Sequence, residues 1–316
     1  MADSAFIRDE ELTAIAIAYK NPDTTLIADS VFPRTAPMGK REFKWTKYDD
    51  ARGFTVPDTH VGEHSTVPQI KLKGTPQVDK CEDYGLDIPL TKSDLSDAPR
   101  NTNPRGHATE QATNLVMLDR EVRAAGLAFD PSQYPAAQRE DLSTDLGGGA
   151  GAEQWNEAGA SPLERLIAGI DACWIRPNVV VFGHAAWSAL SVHPKIVSAA
   201  LGNDSSNGRA TRERLAELLE VQEVLVGTGW VNSVKPGKTP VLARVWGPHA
   251  LAFYRDRTVT QSGGLTFGLT AQYGTRVAGR KVVDMGLHGG ELIRSGESVK
   301  EVIVAPRAAF LWQNAV

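Results

Sequence analysis

Residues 104–129 constrain the chain more than any other stretch. Asn103 suits an N-cap, because its side chain can accept from the unpaired N–H groups of a first helical turn. Pro104 suits the first helical position, where its missing N–H costs nothing. Ala108, Ala112, Leu115, Leu118, Val122, Ala125 and Phe129 recur at three- and four-residue steps and form one apolar stripe. Arg105, Glu110, Asp119, Arg120 and Arg123 fall mostly off it, and Pro131 ends the pattern. The rise of an α-helix makes this element roughly 39 Å long, beyond the usual length of about three to four turns. A narrow stripe with small residues at one end predicts a beam laid across a sheet.

The 316 residues give room for two domains. A net charge of −4 speaks against tight nucleic-acid binding, which needs a basic surface. The two cysteines, Cys81 and Cys173, read as buried reduced thiols rather than a disulfide framework. The first residues are acidic where a secretory leader is basic, and residues 12–19 are too short an apolar run to span a bilayer. A protein made in the cytosol, with no membrane partner, is expected.

Before the long helix, residues 9–20 read as a short amphipathic helix with Leu12, Ile15, Ala16 and Tyr19 on one face. Residues 21–42 form an arm with Pro22, Pro33 and Pro37, whose scattered apolar side chains need cover from their own chain or a neighbour's. Phe43 and Trp45 alternate with Lys44 and Thr46; Ile70 and Leu72 alternate with Lys71 and Lys73; Tyr84, Leu86, Ile88 and Leu90 keep a clean period of two. These predict a two-stranded excursion over about residues 40–80 that returns into a third strand.

After the long helix, residues 143–159 are glycine-rich and read as a surface insertion. Helices are expected at 161–174, with Leu163, Leu166, Ile167 and Ile170 on one face, and at 185–192 and 209–219. Strands are expected at 179–182, 223–226, 241–245 and 250–254, and this alternation reads as a compact α/β module. The tail is strand-rich at 267–277, 291–293, 299–304 and 310–312.

No convincing site for chemistry emerges. His60-Val61-Gly62-Glu63-His64 matches the H-x-x-E-H pattern of inverted zinc proteases, which needs both imidazoles on one helical face. Gly62 and the flanking Pro57 and Pro68 point to a solvated loop instead. Gly147, Gly149 and Ala152 match a weak dinucleotide fingerprint with no strand before it. Asp284, His288 and Glu291 lie among glycines without a ligand spacing, and His184 and His193 read as capping residues of the helix between them. No catalytic residue, cofactor or metal is expected.

The residues do suggest a family. Leu26-Ile-Ala-Asp-Ser-Val-Phe-Pro33, continuing through Pro37 to Gly39-Lys-Arg-Glu-Phe-Lys-Trp45, resembles the arm of tailed-phage major capsid proteins. Cys81-Glu-Asp-Tyr-Gly-Leu-Asp-Ile-Pro89 is similar to the strand after their extended loop. Arg176-Pro-Asn-Val-Val-Val-Phe-Gly183, with Ala186-Trp187 and His193-Pro-Lys-Ile196, resembles the opening of their axial domain. Val245-Trp-Gly-Pro248 with Leu251-Ala-Phe-Tyr254 is similar to a later strand pair. The glycine-rich stretch has no counterpart.

The resemblance implies an α+β, HK97-like fold. It divides the chain into an N-terminal arm at 1–35 that reaches over a neighbour, an extended β-loop at 36–82 that does the same, and a peripheral domain at 83–159 holding the spine helix 104–129. An axial domain follows at 160–256, and 257–316 returns to the peripheral domain. It implies a structural protein, not an enzyme, forming pentamers and hexamers in an icosahedral shell around phage DNA that it touches only weakly. Scaffolding, portal and decoration proteins are implied partners, with the virion as destination and the host cytoplasm as the place of assembly. No motif carries over the Lys–Asn cross-link of some members. The charged side of the spine, with Arg120 and Arg123, becomes a surface toward neighbouring subunits. An encapsulin-type shell is the alternative, and a zinc hydrolase using His60, Glu63 and His64 a more distant one.

Overall fold

The computed structural model describes residues 6–20, 25–47, 56, 58–61, 66–67, 69, 75–143, 153–157, 159–201, 208–234, 237–257 and 265–316. Two sheets carry the chain. The first has the order β1-β11-β12-β4 and is antiparallel throughout: β1 is Ile7–Arg8, β4 Glu82–Thr91, β11 Gly268–Val283 and β12 Gly290–Ile303. β11 and β12 make one long hairpin, with Gly268 opposite Ile303 and Val283 opposite Gly290. The ladder shifts register between Tyr273 and Val277, where Gly274 takes φ +63°. Two separate strands are expected at 291–293 and 299–304, but the structure joins them. The polar residues between are paired inside: Ser295 shares a hydrogen bond with Thr113 at 2.8 Å, and Glu297 meets Arg34 and Arg276.

The spine, α4 (Pro104–Ala128), lies on this sheet with Asn103 accepting from Gly106 N as expected. The buried face keeps Ala108, Ala112 and Ala125 of the expected stripe but not its large members. Ala108, Ala112, Val116, Arg120, Ala124 and Ala128 are buried at strict four-residue steps, beside Thr109, Thr113, Glu121 and Ala125. Small side chains let the helix axis approach the sheet closely. Leu115 and Val122, placed in the stripe by periodicity, are 49% and 40% exposed. The reading of Arg120 and Arg123 as an outward surface is also corrected: Arg120 is buried and Arg123 is folded inward over the Tyr84 ring at 3.6 Å.

The second sheet has the order β5-β13-β10-β6-β7, with β5 Arg139–Asp141, β6 Val179–Gly183, β7 Glu223–Gly227, β10 Ala250–Phe253 and β13 Ala309–Gln313. β6 pairs with β7, and β5 with β13, in parallel. The tail therefore divides. Its long hairpin joins the first sheet, while residues 309–313 pair with β10 in the second, Ala250 opposite Trp312. The second sheet also takes in residues 139–141, so its strands come from outside 160–256 as well as within it.

Alternation sorts the strands' side chains between two cores. Val180, Phe182, Ala252 and Trp312 face α5 (Pro162–Asp171), α6 (His184–Val192) and α8 (Arg212–Leu219), with α7 (Pro194–Leu201) packed among them. Val179, Val181, Leu251, Phe253 and Leu311 face the end of the spine and the arm. On α5, Leu166 and Ile170 are buried, but Ile167 is 42% exposed, outside the face assigned to it.

The described part of the arm finds cover on its own chain, one of the two surfaces the sequence allows. α1 (Glu10–Ala18), capped by Asp9, buries Leu12 and Ala16 against the spine and β11. Ile27, α2 (Ala28–Val31) and Phe32 enter the second core. The excursion begins as β2 (Glu42–Lys47) paired with β3 (Thr75–Lys80), and Phe43 and Trp45 anchor its root against Cys81, Leu269 and Val302. The expected strand at Ile70 and Leu72 lies outside the described residues. A second two-stranded hairpin, β8 (Trp230–Asn232) with β9 (Leu242–Arg244), follows β7. α3 (Lys92–Ser96) precedes the spine, and no helix among the described residues is long and apolar enough to cross a membrane.

Candidate functional site

The residues considered for chemistry are not brought together. His60 is exposed, its backbone N–H donating to Asp58 at 3.0 Å; Glu63 and His64 lie outside the described residues, as do Gly147, Gly149 and Ala152. Among the described residues, no group of three histidine, cysteine or acidic side chains could hold a metal. Glu291 is engaged by Arg105 at 2.8 and 3.0 Å, which holds its carboxyl below the usual range. His193 caps the C-terminus of α6, as expected. His184 does not cap: Gly183 is the N-cap and His184 the first helical residue.

What the structure does build is a clamp on residues 27–34. From the spine, Glu121 accepts from the backbone N–H groups of Ile27 at 2.7 Å and Ala28 at 2.8 Å. Arg120 donates to Asp29 at 2.6 Å, to Glu301 at 3.2 Å and to the Phe32 carbonyl at 3.3 Å. From the first sheet, Thr270 donates to the same carbonyl at 2.9 Å, and Arg34 forks onto Glu297. From the segment just after β10, Arg255 donates to Ser30 O at 2.7 Å. Glu297 is buried and Asp29 half exposed; desolvation works against both charges, but the surrounding arginines outweigh it and hold both carboxyls below the usual range. Glu121 differs: desolvation prevails over its three donors and pushes its carboxyl up. These bonds fix the shape of the chain around residues 27–34.

The strict four-residue row of small residues was the signal for this clamp in the sequence. Arg120 and Glu121 interrupt that row and its neighbour, and a charge inside a buried ridge must find partners.

Outside the clamp, apolar side chains are left exposed on several faces. They include Leu115 and Val122 on the spine, Trp230 and Leu242 on the β8–β9 hairpin, Val56 and Val67 on the excursion, and Leu287 at the turn of the long hairpin.

No family model matches the sequence. The major capsid protein of Pseudomonas phage JBD67 is 45% identical over 318 residues, covering 100% of this chain and 99% of its own. That of Burkholderia phage BcepMu is 25% identical over 316 residues, covering 96% and 95%. The crystal structure of a phage-related protein from Bordetella bronchiseptica matches with a TM-score of 0.74 at 21% identity, over 98% of both chains. The two-sheet fold on a long spine is HK97-like, and the relatives make it that of a shell-forming structural protein. The chain belongs to the phage major capsid proteins, and its place is the virion capsid.

Proposed function

We propose that this subunit assembles in the host cytoplasm, as pentamers and hexamers, into the icosahedral head that encloses phage genomic DNA. The observation that carries this is the excursion. Its root is anchored in the subunit's own core by Phe43 and Trp45, yet Val56 is 91% and Val67 71% exposed, so cover for its outer part has to come from another copy. The arm at 1–35 and the extended loop at 36–82 reach over neighbouring copies, residues 27–34 being held to their own subunit by the clamp, and the spine with the first sheet forms the peripheral domain. The second sheet with α5–α8 is the axial domain. A net charge of −4 suits a wall that holds packaged DNA without gripping it. Scaffolding, portal and decoration proteins are the further partners this role calls for.

Electron microscopy of the expressed protein tests the reading. Hollow shells, or rings with five- and six-fold symmetry, are the expected result. A uniform monomer or dimer at every concentration tried would overturn it. Nuclease-protected DNA in particles from infected cells distinguishes a genome container from a shell around protein cargo.

A further inference from the structure

We propose that the β8–β9 hairpin of one copy seats on the outward face of α5 in the next copy, a head-to-tail contact that joins opposite edges of the second sheet. The inference rests on the shell reading above and names the surfaces that would carry it.

The hairpin leaves the sheet at β7, one edge strand. Cross-strand partners share a face, so Trp230 opposite Arg244 and Asn232 opposite Leu242 lie on one side. On that side Trp230 is 49% and Leu242 62% exposed, and the Arg244 guanidinium stacks over the indole at 3.7 Å. Lys238, in the connection, adds a second cation. An isolated pair of strands is marginal in water, and an apolar side on one needs cover.

At the other side of the sheet, α5 packs on β13, next to the edge strand β5. Its outward face centres on the exposed Ile167, with exposed Glu164 one turn before it and exposed Asp171 one turn after it. Asp171 shares its charge with Arg176 at 3.6 Å, and both side chains are more than half exposed. An apolar centre flanked by cations thus matches an apolar centre flanked by carboxylates. Because the two patches sit at opposite edges, one copy cannot satisfy both on the same neighbour. The contact passes from copy to copy and closes a ring when the rotation allows. Hairpin against hairpin would set Arg244 against Arg244, a like-charge arrangement.

Paired cysteines test this. In the shell-forming protein carrying Ile167→Cys and Leu242→Cys together, mild oxidation of assembled particles is expected to give a ladder of covalent oligomers on non-reducing gels. Each single variant is expected to stay monomeric. Cys81 is buried and Cys173 has its thiol pushed up to about 12, so neither native cysteine competes. Shells that form without a ladder overturn the proposal while leaving the shell reading intact. So do dimers from Leu242→Cys alone, which would mean that hairpins meet each other. If the unsubstituted protein makes no shell or ring, both readings fall. A second pair covers a misassembling cysteine variant: Glu164→Lys should lower particle yield about threefold or more at unchanged melting temperature, and adding Lys238→Glu should restore it. Absence of restoration counts against the contact.

Discussion

Trp246 Nε1 donates to Glu121 Oε1 at 2.5 Å, bridging the loop before β10 and the C-terminal third of the spine. The same carboxylate holds the backbone of Ile27 and Ala28, so one side chain ties together three segments remote in sequence.

Replacing Glu121 by Ala leaves the N–H groups of Ile27, Ala28 and Trp246 without their acceptor. Each buried unsatisfied donor costs about 1–3 kcal/mol, so a loss of roughly 3–5 kcal/mol in subunit stability is expected. Denaturant unfolding of the unassembled subunit measures it.

Asp29 and Glu297 have folded-state carboxyls below their ordinary values. Their contribution to stability is therefore complete above the ordinary carboxylate range and is lost as pH falls through the lower folded values. Glu121, held above its ordinary value, has the opposite sign and gains as pH falls toward the ordinary range. Glu297→Gln should flatten the acid limb of the stability curve, and Glu121→Gln should steepen it. Melting temperatures from pH 7 down to about pH 3 decide both.

Arg120 has a side chain only 3% exposed and pairs with Asp29 and with the almost fully buried Glu301. Reversing its charge is expected to damage the subunit before assembly begins, because breaking a buried pair costs about 3–5 kcal/mol. Arg120→Glu should lose soluble expression. Leu115→Ser, at an exposed spine position, should change subunit stability by only about 0.5 kcal/mol.

Gly169 in α5 is a case where helix propensity and packing disagree. Alanine is favoured over glycine by roughly 1 kcal/mol in a helix interior. A Cβ there would collide with Trp312 Cζ2 and meet Phe310 Cδ1 at 2.8 Å, both parts of packed rings. Overpacking costs about 1–3 kcal/mol and prevails. Gly169→Ala should therefore lower the melting temperature, against the propensity.

Cys173 should resist iodoacetamide at pH 8 in the native subunit, since desolvation pushes its thiol up to about 12. Mass spectrometry before and after denaturation shows whether labelling waits for unfolding.

Much of the architecture was legible locally. The capped start of the spine, the period-two strand at 82–91, the apolar run at 179–183 and the α/β alternation after residue 160 all form where the residues place them. These signals depend on neighbours a few residues apart, which the sequence displays directly. The spine's inward face was assigned correctly at Ala108, Ala112 and Ala125 but wrongly at Leu115 and Val122, because large apolar side chains dominated the periodicity. The sheet selects the small ones, which permit close approach, and leaves Leu115 and Val122 outside.

The sequence by itself determined most of the elements through capping and alternation, which are local properties of the chain, and its ordered motifs carried the resemblance to the capsid family and its fold. Only the tertiary structure decided where the arm rests, which sheet receives residues 309–313, and that Arg120 and Glu121 point inward. Each of these turns on partners far away in the chain: Arg120 is paired with Glu301, and Glu121 with Ile27 and Trp246. A charge on a helix looks the same in sequence whether water or a distant carboxylate solvates it, and burial alone separates the two.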